Sequence, residues 1–129
     1  MKLILPFLPL LLAAGCTAQP PVAPSQSDAA RLAAALEGRT AGPPMSCVSQ
    51  LNLRSSRSIG EAAILFDGPG GVIYVNRPPA GCPSLEGRTM VTRTSTTQLC
   101  RGDIVNVIDP ASRTEYGSCS LGDFVPYRR

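Results

Sequence analysis

Glu61 to Pro78, EAAILFDGPGGVIYVNRP, constrains this chain more than any other stretch. Two apolar runs, Ala62–Phe66 and Val72–Val75, flank Gly68-Pro69-Gly70-Gly71. Each run is too short for an independent helix, and the second is rich in β-branched residues. Glycine supplies positive φ and proline a fixed φ, as a tight reversal requires. The stretch predicts a β-hairpin. Its near-continuous apolar character predicts strands covered on both faces, or an outer face partly covered.

The rest of the chain reads as short strands. Ser46–Leu53 is a first candidate, and Arg54–Gly60 (RSSRSIG) a polar turn. After the hairpin, Arg77–Ser84 carries three prolines and reads as a loop. Arg88–Thr96 alternates and is threonine-rich, fitting a strand with one wet face. Asp103–Ile108 is a second buried strand, Asp109–Ser112 a turn, and Glu115–Leu121 a return strand. Phe124-Val125 closes the set. Five to seven strands with closely spaced turns predict a small antiparallel barrel or sandwich. No long helical pattern interrupts them, which argues against a parallel βαβ sheet.

The N-terminal part reads differently. Met1-Lys2 is a short positive segment, Leu3–Leu12 is apolar, and Ala13-Ala14-Gly15 precedes Cys16. This is the pattern of an export signal, too short for a mature spanning helix. Small residues before a cysteine resemble a bacterial lipobox, which implies a signal peptide over 1–15 and lipid on Cys16. Thr17, where a retention signal would place Asp, implies by resemblance to lipoprotein sorting the outer membrane, periplasmic side. Cleavage after Ala18, giving a soluble periplasmic or secreted protein, is the alternative. Residues 16–26 hold three prolines and read as an extended tether, spanning about 30 Å. Over 27–38, Ser27 is a suitable N-cap, Asp28 suits the helix dipole, Leu32 and Leu36 share a face, and Gly38 suits the C-terminus. The β-domain is expected over 43–129.

Composition narrows the function. Of twelve basic residues one is Lys2, in the signal, leaving eleven Arg against nine acids. That balance is too weak to argue for nucleic acid. The chain has no His, which removes the commonest general base and metal ligand. With Cys16 assigned to lipid, Cys47, Cys82, Cys100 and Cys119 remain, an even number that predicts two disulfides. No pair has C-x-x-C spacing, so neither metal nor cofactor is expected. A barrel closing first strand on last would place Cys47 near Cys119 and leave Cys82 with Cys100.

GRTAGPPMSC (Gly38–Cys47), VIYVNRP (Val72–Pro78), QLCRGDIV (Gln98–Val105) and LGDFVPY (Leu121–Tyr127) together resemble a family of small exported proteins of sphingomonads and related proteobacteria, uncharacterised in activity. The resemblance spans roughly Gly38 to Tyr127 and implies an address and a fold. It also implies the pairing Cys47–Cys100 with Cys82–Cys119, in conflict with barrel closure.

Asn76 and Arg77 are the candidate binding residues, Arg77 as a fork for carboxylate or phosphate. Asn76 could equally be a turn residue and Arg77 locally paired. Asp103 and Asp123 could act as paired carboxylates, but accepting backbone N–H bonds in turns suits them better. Tyr74, Tyr116 and Tyr127 fit core-edge packing better than a ligand surface. Ser46, Ser49, Ser55 and Ser56 lack the usual activator. The resulting expectation is a non-enzymatic envelope lipoprotein, held to the membrane through Cys16 and binding an envelope protein or glycan. A small inhibitor of an extracytoplasmic hydrolase, inserting the loop Arg77–Ser84, is the alternative.

Overall fold

The structure, a computed structural model, describes Gly15 and residues 22–129. The expected signal peptide apart from Gly15, the expected lipidation site Cys16 and most of the expected tether lie outside the described residues. Among those described, no helix is long and apolar enough to cross a membrane.

The helix α1 runs Gln26–Ala35, not 27–38. Ser25 rather than Ser27 is its N-cap, with Oγ accepting from Asp28 N at 3.2 Å. Asp28 stays in the first turn, where the carboxylate meets the positive end of the dipole. Arg39 N then bonds to Leu36 O, so Leu36–Arg39 is a turn with Gly38 at positive φ rather than further helix.

Among the described residues, ten strands form three antiparallel sheets. In chain order they are β1 (Thr40–Ala41), β2 (Cys47–Ser49), β3 (Ser55–Ile59), β4 (Ala63–Asp67), β5 (Ile73–Asn76), β6 (Thr89–Thr92), β7 (Gln98–Cys100), β8 (Ile104–Ile108), β9 (Glu115–Ser120) and β10 (Phe124–Arg128). The large sheet has the order β1-β10-β5-β4-β3, β2 pairs with β7, and the third sheet runs β6-β8-β9. The hairpin is β4–β5, with Leu65 opposite Val75 and Phe66 opposite Tyr74. Gly70 (φ 66°) and Gly71 (φ 75°) make its reversal, in a backbone region that side chains rarely adopt.

Period-two alternation divides the large sheet into two faces. On one, Ile64, Phe66 and Phe124 pack against Val48 and Leu99 of the small sheet and Val105 and Val107 of β8. Phe66 and Phe124 meet in a tilted pair, centroids 5.6 Å apart. On the other, Ile59, Leu65, Ile73 and Val75 are covered by Leu32 of α1. The hairpin strands are therefore buried from both sides, as their composition predicts. The sheets do not close on themselves, so the barrel is not formed and the sandwich is the architecture.

Among the described residues there are two disulfides, one within a sheet and one between layers. Cys47–Cys100 joins residues directly opposite in the β2–β7 pair. Cys82–Cys119 joins the loop after β5 to β9 within the main core. This is the pairing the resemblance implied, and Cys47 with Cys119 by barrel closure is overturned.

Other expectations need correction. Arg54–Gly60 is not a turn but contains β3, whose hydrophilic residues suit an edge strand facing solvent. Arg57 Nη1 reaches Asp67 Oδ2 of β4 at 2.9 Å, and Ser55 donates to the same carboxylate. Ser46–Leu53 is strand only over Cys47–Ser49, and Gln50–Asn52 turns as a single 3-10 element. The strand count exceeds five to seven because β1, β2 and β7 hold two or three residues each. The sheet also begins before residue 43, since Thr40 and Ala41 pair with Arg128 and Tyr127. The predicted turn after β8 is present: Asp109 Oδ1 accepts from Ala111 N and Ser112 N, both at 2.9 Å. Those bonds, Ser112's first, lower the Asp109 pKa below the usual carboxylate range. The hold on this turn is thus present at neutral pH and lost as pH falls through that lowered value.

Candidate functional site

Arg77 lies at one rim of a groove over β5 and β10, on the face of the large sheet that α1 covers further along. Val75 of β5 and Val125 of β10 are opposite each other and form its floor. Pro44 and Pro79 form apolar walls, and Arg77, Arg101 and Asp123 supply the charge. The groove is open to solvent and holds about 390 Å³, a volume comparable to small-ligand sites.

The sequence builds this groove through one buried amide. Asn76 has no exposed surface. Its Nδ2 donates to Gly122 O at 2.7 Å, and its Oδ1 accepts from Gly122 N at 2.9 Å. Both polar ends of the side chain are thereby used on the backbone N–H and C=O of one residue, 46 residues away in sequence. The clamp locks the residue before Arg77 to the residue before Asp123. An added Cβ on Gly122 would stand 2.5 Å from Arg77 O, so only glycine lets the two segments approach this closely. Asn76 is therefore neither a surface binding residue nor a flexible turn residue. It is the positioning residue for Arg77.

The loop walls are equally held. Pro79 belongs to a turn closed by Gly81 N to Pro78 O at 2.9 Å. Cys82 N bonds to Glu61 O at 2.8 Å, next to the disulfide. Pro44 is carried by the two bonds between Met45 and Phe124. Arg101 N bonds to Ser46 O at 2.7 Å, and its guanidinium reaches Asp123 Oδ1 at 3.2 Å. Both partners of that ion pair are well exposed, so it orients more than it stabilises. Arg77 makes no ion pair among the described residues and is exposed, which leaves its donor fork free. The groove thus offers one uncommitted guanidinium beside an apolar floor, suited to an anionic group attached to an apolar body.

The other candidates are spent on structure. Asp103 Oδ2 accepts from Cys100 N at 2.7 Å, a turn role as expected. Asp123 instead pairs with Arg101, so the two carboxylates have separate duties. Tyr74 packs at the edge of the main core and Tyr127 at the edge of the helix-covered one. Tyr116 lies exposed under the Arg88 guanidinium, 3.9 Å from its centroid. Among the described residues, no cluster of His, Cys, Asp or Glu could hold a metal ion. Sequence reading missed Val125, Pro44 and Arg101 as neighbours of Arg77, because only the fold brings these distant segments together.

Comparison with protein-family models, curated proteins and solved structures found no match to this chain.

Proposed function

We propose that the chain is a non-enzymatic binding module of the cell envelope, anchored by lipid on Cys16 at the outer membrane and facing the periplasm. It takes an envelope protein or glycan in the Arg77 groove. The observation that carries this reading is the free Arg77 fork set beside an apolar floor by a fully satisfied buried clamp. Two disulfides support an oxidising compartment, in keeping with the export signal. A binding role rather than chemistry is supported by the lack of histidine and by Asp67, the carboxylate beside Ser55, being engaged by Arg57.

Replacing Cys16 by Ser is expected to abolish incorporation of labelled palmitate and to release the protein from the membrane fraction. Unchanged labelling and fractionation would remove the anchor from this reading. For the groove, mature wild-type chain and Arg77→Glu are compared as immobilised baits in envelope extract. Arg77→Glu reverses the charge at the rim, and about a tenfold loss of the retained component is expected. Equal retention by both baits would move the binding surface elsewhere.

The inhibitor reading is favoured by one further observation. The loop Arg77–Ser84 is pinned by Cys82–Cys119 and by Cys82 N to Glu61 O, while Pro79, Ala80 and Pro83 stay exposed. A loop already ordered loses little entropy on insertion into an enzyme cleft. Inhibition of an extracytoplasmic hydrolase that disappears on replacing Pro79-Ala80 would select this reading. A hydrolase panel indifferent to excess protein would reject it.

A further inference from the structure

Two strand edges are open on the other side of the molecule, away from the Arg77 groove. Among the described residues, β3 is the last strand of the large sheet and pairs only with β4. Among them too, β6 is the last strand of the third sheet and pairs only with β8. Alternate residues of such strands direct N–H and C=O groups outward with no partner in the sheet. Between the two edges lie hollows of about 150 Å³ and 240 Å³. Ser56 and Met90 line both, so the two hollows adjoin and together make the cleft between the edges. Its floor is apolar, with Phe66 and Leu99 from the core.

The cleft has a definite charge. Its lining includes Arg54, Arg57 and Arg88 and no acidic residue. Arg57 is engaged by Asp67, while Arg54 and Arg88 make no ion pair among the described residues. Arg88 Nε is the one buried side-chain polar atom without a hydrogen-bond partner among the described residues. Such groups are rare in folded proteins and costly in isolation.

We infer that this cleft accepts an extended acidic peptide segment of a partner protein, which adds as a strand at the β3 edge and sets a carboxylate against Arg88. The backbone of the guest supplies the hydrogen bonds that β3 lacks, alternate apolar side chains reach the floor, and the carboxylate meets the free Nε of Arg88, whose Nη1 donates to Ser84 O and whose plane stacks on Tyr116. Insertion would bridge the large sheet to β6, the junction at which the sandwich stays open. The inference does not rest on the Arg77 groove, which lies on β5 and β10.

The test is a titration of the isotope-labelled mature chain with two synthetic peptides of alternating Val-Glu and Val-Lys, followed by amide chemical shifts. The Val-Glu peptide is expected to shift Ser55–Ser58 and Thr89–Thr92, with the Val-Lys peptide at least about tenfold weaker. Arg88→Gln and Ser56→Glu are each expected to weaken Val-Glu binding about tenfold, while Arg77→Glu leaves it unchanged. Ser56 is exposed on the edge strand, so its variant decides the matter if Arg88→Gln does not fold. Equal response to both peptides, no shift at β3 and β6, or shifts confined to Arg77 and its neighbours would overturn the inference. So would a self-associated chain whose β3 amides are already protected before peptide is added, since the occupant would then be a second copy.

Discussion

Reducing both disulfides is expected to unfold the β-domain at room temperature. Each bond closes a long loop, with 53 residues separating Cys47 from Cys100 and 37 separating Cys82 from Cys119. Each closure contributes about 2–4 kcal/mol, against a total of about 5–15 kcal/mol for an ordinary domain. The two losses differ in kind. Cys47–Cys100 holds a sheet of two three-residue strands, which could not persist alone. Cys82 and Cys119 are buried in the main core, so removing their bond also loosens packing among Leu85, Leu121 and Phe124. Cys82→Ala with Cys119→Ala should therefore cost more than Cys47→Ala with Cys100→Ala. Urea denaturation of oxidised, reduced-alkylated and paired-alanine proteins measures this. A reduced protein with the oxidised midpoint would refute the argument.

Replacing Asn76 by Asp should cost about 3–5 kcal/mol at neutral pH, the scale for an uncompensated buried charge. The new carboxylate would keep the bond from Gly122 N but set an oxygen against Gly122 O, at a position with no exposed surface. Burial and that opposed oxygen both disfavour the ionised form, so the pKa in the folded state rises above its unfolded value of about 3.9. The folded state then binds more protons than the unfolded state. The variant's stability is retained below the unfolded pKa and lost as pH rises through the folded one. Asn76→Ala lacks this pH dependence. It leaves the Gly122 N–H and C=O unpaired, at about 1–3 kcal/mol for each group. Denaturation midpoints of wild type and both variants at pH 3 and pH 7 separate the cases. An Asn76→Asp deficit that is the same at both pH values would show that the clamp is not buried as described.

The hairpin was legible in the sequence because β4 and β5 are apolar on both faces and joined by glycines at positive φ. Neither feature needs knowledge of distant residues. β3 was illegible for the opposite reason. Serine and arginine occupy both of its faces, since one flank of an edge strand meets solvent, and a polar run of that length resembles a turn. β1, β2 and β7 are too short to carry a pattern and exist through their partners, β10 for the first and each other for the latter two. Asn76 precedes Arg-Pro-Pro and locally suits a turn, and nothing near it announces a partner at Gly122. Arg77 could be singled out from its residue type, whereas the Val125 floor and the Pro44 wall depend on β10 lying beside β5. The disulfide pairing followed from a family resemblance rather than from spacing, since four cysteines leave three connectivities open.

The most direct test of the central claim is photo-crosslinking in intact cells, where the full chain is processed and anchored as it occurs. A benzophenone side chain is placed at Pro79, exposed on the groove wall beside an intact Arg77, in one strain and at Ala111, exposed in the turn after β8, in another. Irradiation should give a discrete, disulfide-dependent adduct from position 79 and none from position 111. No adduct from position 79, or the same adduct from both positions, would contradict a binding module that works through the Arg77 groove.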